Sequence, residues 1–213
     1  MDNLQATISR VIILAPLVLL AVTVHELAHG YVAFLLGDRT AKAAGRLTLN
    51  PLKHLDLVGT LVFFITQMIG WAKPVPVDPR NFKNPGRDMV WVSLAGPAAN
   101  LVLAVGFALI FHLLGSLKIG PGLQWAFSTL ETVYLMAYLA VSINIGLAVF
   151  NLVPIPPLDG FHVLEWFLPR DLALRIQRIN PYYWFLLLMA LIYFRIINKI
   201  VYPVIMGLRS ILL

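Results

Sequence analysis

"LAVTVHELAHGYVAFLLG", residues 20–37, sets two histidines and a glutamate inside a run that otherwise reads as a membrane helix. Ionisable groups at bilayer depth are expensive unless something compensates them, so this stretch bears on architecture and chemistry together. The surrounding apolar run extends from Val11 to Leu36 and ends at Gly37-Asp38, a reasonable C-cap. The region before it, with Arg10 its one basic residue, does not read as the n-region of a cleavable signal peptide, so the run is expected to be retained. The whole chain fits that setting. At 60% hydrophobic and 12% charged, with mean hydropathy +0.83, it is far more apolar than a soluble domain, which is about half apolar and a quarter charged. Its 213 residues hold roughly four to five spans with short loops.

Further along, residues 38–56 are polar, and "GRLTLN" within them alternates like a short strand. Leu57 to Trp71 is apolar but short for a crossing, which predicts a re-entrant or interfacial segment. Residues 73–88 are rich in proline and charge and read as an extended loop. Spans are expected at Met89–Leu114 and Gln124–Leu152, with a tight turn over 115–122. The second of these stops at the prolines of "NLVPIPPLDG". Residues 159–181 form a loop or surface helix, and an apolar segment runs from Tyr182. The expected fold is therefore an all-α polytopic membrane protein, with a short β-hairpin or re-entrant segment between its first and second spans.

Eleven of the sixteen lysines and arginines fall in the 38–56, 73–88 and 159–181 loops, which share one face if 57–71 does not cross. Arg10 and Lys118 are on the other. The positive-inside rule makes the first face cytoplasmic. It also accounts for the net charge of +6 without nucleic acid, because the basic residues are dispersed among spans.

The spacing His25-x-x-x-His29 puts two imidazoles on one helical face a turn apart, where they can share one metal ion, with Glu26 on the adjacent flank. The absence of cysteine restricts any metal to histidine and carboxylate ligands. A catalytic zinc wants three protein ligands and one open position. Position 35 is Leu35, which excludes the metzincin pattern with its third histidine. Glu131 lies at the wrong end of its span and Glu165 is further along a loop. Asp159, just after the proline stop on the cytoplasmic side, is the best third ligand. Asn100 and His54 are polar neighbours and candidates to hold an oxyanion; on the other reading Asn100 bridges helices and His54 caps the re-entrant segment.

"HELAHG" in the first span, "LAGPAAN" at 94–100 and "NLVPIPPLDG" at 151–160 together resemble the site-2 protease family of intramembrane zinc metalloproteases, over about residues 11–165. The resemblance implies zinc on His25, His29 and Asp159, with Glu26 as catalytic acid and base. It matches Asn100 and Asn151 to the asparagines of two family motifs. It implies a minimal form without a PDZ or CBS module: one membrane-embedded domain over 1–213, with a core at 11–165 and a C-terminal loop and last helix at 166–213. The expected substrates are single-span membrane proteins in the bilayer, and the expected place is the inner membrane of a prokaryote, with the site on the cytoplasmic side. Oligomeric state is open. The alternating "GRLTLN" and "KPVPV" stretches either clamp an unwound substrate by strand addition or pair with each other. A membrane metal transporter and a non-catalytic membrane binding protein are the rival classes. The first lacks a charged route through the middle spans, and the second would not need Glu26.

Overall fold

The computed structural model describes residues 2–66, 71–117 and 124–213. Helix α1 spans Asp2–Leu35, and α4, Pro85–Ser116, and α5, Gln124–Asn151, pack against it. Short α2, Thr40–Ala43, and α3, Leu57–Thr66, lie between α1 and α4. Beyond α5 come α6, Asp159–Phe167, α7, Arg170–Gln177, α8, Pro181–Tyr193, and α9, Ile196–Leu212. Among the described residues, Val11–Leu35, Pro85–Ser116 and Thr129–Asn151 are long and apolar enough to cross a membrane. The pair α8–α9, bent by 68°, adds a fourth only if it counts as one broken span. The protein is a multi-pass, helical membrane protein. The upper end of the expected span number is not reached among these residues, and the expected turn at 115–122 lies largely outside them.

In lipid the apolar tails compete equally for apolar side chains, so spans associate by close packing of small residues and by buried hydrogen bonds. The interfaces here follow that rule. Ala21, Ala33, Ala104, Ala137, Ala140 and Ala148 are all but fully buried where the helices meet, while Val102, Leu109 and Leu113 of α4 face outward. Helix α9 lies along α5, with Ile205 and Leu208 against Val141 and Ile145.

The expected β-hairpin is not formed. There is no strand among the described residues, only a single antiparallel bridge between Leu55 and Ala72. The reason is where the backbone donors go. Gly45, at φ +65°, turns the chain so that Arg46 N–H bonds to Ala41 O and closes α2. Thr48 N–H then bonds back to Arg46 O, and Asn50 caps a 3₁₀ turn at Pro51–Lys53. In 73–77 the two prolines remove alternate donors. The short apolar segment after Leu57 is the ten-residue α3, and residues 67–70 of that expected segment lie outside the described ones.

Asp38, fully buried at the exit of α1, ties this region together. Its carboxylate accepts from Thr40 N–H and Oγ1, from Asp78 N–H at 2.8 Å and from Asn81 Nδ2 at 2.7 Å. Burial pushes this carboxyl up, but the hydrogen bonds from Thr40, Asp78 and Asn81 outweigh it and hold it below the ordinary carboxylate range. A depressed folded-state value adds stability above the unfolded value, about 3.9, and that stability is lost as pH falls through the folded value. Thermal melts of the detergent-solubilised protein should therefore fall below about pH 4, and Asp38→Asn should flatten that limb. At neutral pH the same substitution should cost on the order of 2 kcal/mol.

Candidate metal centre

A continuous α-helix satisfies its own backbone, which leaves the side chains of the α1 turn at 25–29 free to look across to α4. His25 and His29 are both buried, and their Nε2 atoms lie 3.0 Å apart. His29 Nδ1 lies 2.7 Å from Val92 O, a carbonyl that only accepts, so this nitrogen donates. His25 Nδ1 lies 2.6 Å from Asn100 Oδ1. Asn100 Nδ2 donates to Ala21 O and to Asn144 Oδ1, so its oxygen is the atom turned to His25, and His25 Nδ1 donates as well. Both imidazoles, when neutral, thus carry the proton on Nδ1 and direct an Nε2 lone pair at the same point.

Asp159 completes the group. After α5 ends at Asn151, the proline-containing stretch reverses the chain, and α6 starts at Asp159 itself. The reversal needs Gly160: a Cβ there would collide with Leu152 O and stand 2.8 Å from Val153 O. Asp159 Oδ2 is 3.1 Å from His25 Nε2 and 3.4 Å from His29 Nε2. It is buried without a hydrogen-bond partner. Two lone pairs and a carboxylate oxygen facing one another, with no proton between them, repel unless a cation intervenes. Their separations, 3.0, 3.1 and 3.4 Å, come within about 0.4 Å of the roughly 3.4 Å between donor atoms of tetrahedral zinc bound at about 2.1 Å. His25, His29 and Asp159 therefore fit a metal, in number and in kind. The fit extends to α4, where Gly96 faces the imidazoles with no side chain.

Glu26 is half-buried, and its Oε2 accepts Val75 N–H at 2.8 Å. The 73–77 segment is held over α1 by two further bonds, Lys73 N–H to His54 O and Arg46 Nη2 to Lys73 O at 2.6 Å. Of the remaining residues picked out from sequence, Asn100 sits behind His25. His54 uses Nε2 on Thr48 O, and Asn151 uses Nδ2 on Leu147 O one turn back. Sequence reasoning missed Val92 O, Val75 N–H and Asn144. Two of these are backbone atoms with no residue signature, and the third is an asparagine in no quoted motif.

The chain is similar to several proteins named as zinc metalloproteases. The family described as "Peptidase family M50" matches residues 113–191, which include Asp159. A Bacillus subtilis protein named "Putative zinc metalloprotease YwhC" is 44% identical over 161 residues, 75% of this chain and 71% of that protein. "Putative zinc metalloprotease Rip2" of Mycolicibacterium smegmatis is 34% identical over 154 residues, covering 69% of this chain and 54% of the relative. "Putative zinc metalloprotease MJ0611" of Methanocaldococcus jannaschii is 34% identical over 93 residues, 44% of this chain and 35% of that one. The chain thus spans about half the length of the Rip2 relative. No solved structure matches.

Proposed function

The chain belongs to peptidase family M50, and from that premise we propose that it is a zinc-dependent intramembrane endopeptidase, cutting peptide bonds within the transmembrane segments of single-span proteins. The observation that carries this reading is the convergence of His25 Nε2, His29 Nε2 and Asp159 Oδ2 on one point at the level of a membrane helix. Zinc held there supplies a Lewis acid, which acidifies water toward neutral pH and polarises a carbonyl. Glu26 takes the proton of the attacking water and delivers it to the departing amine. Its bond from Val75 N–H occupies Oε2 and leaves Oε1 for that transfer. Asn100 has committed both amide protons, to Ala21 O and Asn144 Oδ1, so it supports His25 and has no donor left for an oxyanion. His54 donates to Thr48 O. Asn151 has given one proton to Leu147 O and, of these three, keeps an amide proton for substrate.

A transmembrane substrate must unwind to expose its scissile bond, and its freed backbone groups then need partners. The 73–77 segment lies over Glu26, with Lys73 N–H given to His54 O and Val75 N–H to Glu26 Oε2, so what it offers the freed N–H groups of a substrate is its carbonyls from Pro74 to Pro76. It is the edge on which an unwound substrate can be held, as the first step of regulated intramembrane proteolysis. The basic loops support a cytoplasmic position for this side of the protein, and the location we propose is the inner membrane of a prokaryotic cell.

The test is reconstitution of the purified protein in lipid vesicles with a panel of single-span substrates, with products mapped by mass spectrometry. We expect cuts inside the apolar segment, at least a hundredfold slower with a zinc chelator and restored by added zinc. Cuts confined to soluble loops, cleavage indifferent to the chelator, or zinc flux across the vesicle without cleavage would each overturn the reading.

A further inference from the structure

Behind His25 lies a chain of buried amides that crosses three helices. Asn144 of α5 is 1% exposed and Asn100 of α4 is fully buried. Asn144 Nδ2 donates to Ala140 O at 2.9 Å. That carbonyl only accepts, so the nitrogen of Asn144 must face it and the oxygen must face Asn100. Asn100 Nδ2 bonds to this oxygen at 2.9 Å and to Ala21 O at 3.0 Å. Two acceptors thereby fix the Asn100 amide, and its oxygen turns to His25 Nδ1.

We propose that Asn144 is a positioning residue for the metal pair: its acceptor oxygen holds the Asn100 amide in the orientation that keeps His25 in the Nδ1–H tautomer. The proposal rests on the zinc-site reading above. The lock matters because the metal-free site favours the opposite tautomer. With its proton on Nε2, His25 would donate to His29 Nε2, 3.0 Å away, or to Asp159 Oδ2, 3.1 Å away. A half-turn of the Asn100 amide would serve that tautomer by offering an N–H to His25 Nδ1. In the native structure this half-turn sets the Asn100 oxygen against both Ala21 O and Asn144 Oδ1. Without the Asn144 oxygen, one of the two oppositions is gone. A fraction of metal-free molecules then carries a proton where a ligand lone pair is needed. Apparent metal affinity falls by the fraction lost, since the competent tautomer must be restored before binding.

The experiment uses the full chain in detergent, labelled with ¹⁵N-histidine and freed of metal, at about pH 8.5, roughly two units above the free imidazole value. The His25 resonances are assigned by their loss in His25→Gln. We expect wild type to show His25 as Nδ1–H. Asn144→Leu should show a substantial Nε2–H population and bind zinc about tenfold more weakly by chelator competition. Asn144→Asp, neutral in this buried site and donating its O–H to Ala140 O in place of the amide, keeps an oxygen toward Asn100 and should match wild type in both readouts. The proposal is overturned if wild-type His25 is Nε2–H, or if a folded Asn144→Leu protein keeps the wild-type tautomer and zinc affinity. It is equally overturned if Asn144→Asp shifts the tautomer, which decides the question even where the leucine variant does not fold. Cleavage is assayed in parallel. A tautomer shift in a protein that cuts no membrane substrate leaves the positioning role standing and removes the protease reading, and the converse result does the reverse.

Discussion

Glu26→Gln is expected to bind zinc within about twofold of wild type and to cleave membrane substrates about a thousandfold more slowly. Both halves follow from geometry. The three atoms that converge belong to His25, His29 and Asp159, so the donor set survives the change. The glutamine oxygen can still accept Val75 N–H, now made by Glu26 Oε2 at 2.8 Å, so the 73–77 segment stays in place. What the amide cannot do is take a proton from water. Positioned general acid–base groups contribute about 10² to 10⁴ in rate, and a thousandfold loss corresponds to about 4 kcal/mol of transition-state stabilisation. Zinc content by atomic absorption and initial rates on one reconstituted substrate measure the two halves separately. A variant retaining more than a tenth of wild-type rate would remove Glu26 from the chemistry. Loss of zinc would show that Glu26 belongs to the ligand set. A transporter, by contrast, would carry zinc with or without this carboxylate.

The metal pair was legible in sequence because helical spacing converts directly into geometry: residues four apart share a face, whatever surrounds them. Asp159 was legible because prolines force the chain to reverse at the end of a span, and a reversal can aim a side chain back at the bundle. The expected β-hairpin does not form because alternation of apolar and polar residues says nothing about where backbone donors are spent. At 45–50 the donors close one short helix and start a 3₁₀ turn. Hydropathy places the start of α4 at Met89, yet the helix begins at Pro85. Its first turn is polar, and Asp88 accepts Asn84 N–H to cap it, a feature that a hydropathy reading discards. The bend between α8 and α9 falls at Arg195, φ +58°, with neither glycine nor proline to mark it. Tertiary packing decides that break, through Ile197 and Val201 seated on Leu158 and Leu188. The supports of the site were hidden for a related reason. Asn100 and Asn144 are 44 residues apart in sequence and meet only because α4 and α5 pack closely.

Gly96 is where that packing and the metal chemistry meet, and Gly96→Ala should weaken zinc binding by at least about a hundredfold. In sequence Gly96 reads as a small residue that lets two membrane helices approach. In the structure the space it leaves belongs to the ligands. A Cβ on Gly96 would stand 2.6 Å from His25 Cε1 and 2.7 Å from His25 Nε2, and closer still to His29 Nε2. Those are overlaps of roughly 1 Å on ordinary contact, and neither partner can yield cheaply. Both imidazoles are pinned from behind, His25 by Asn100 and His29 by Val92 O one turn earlier on α4. Relief requires either that the rings leave the point where Asp159 meets them, or that α1 and α4 separate along an interface closed by Ala21 and Ala33. Displacing supporting geometry by less than this already costs 10- to 100-fold in metal affinity, and here the ligand atoms themselves must move. Gly106→Ala, ten residues further along α4, is the matched control, because its Cβ would meet nothing within 4 Å. Zinc titration against a chelator should separate the two variants cleanly, with the Gly106 variant binding as wild type. Wild-type zinc affinity in Gly96→Ala would mean that the metal is not held between these imidazoles and α4, and the site built here would fall with it.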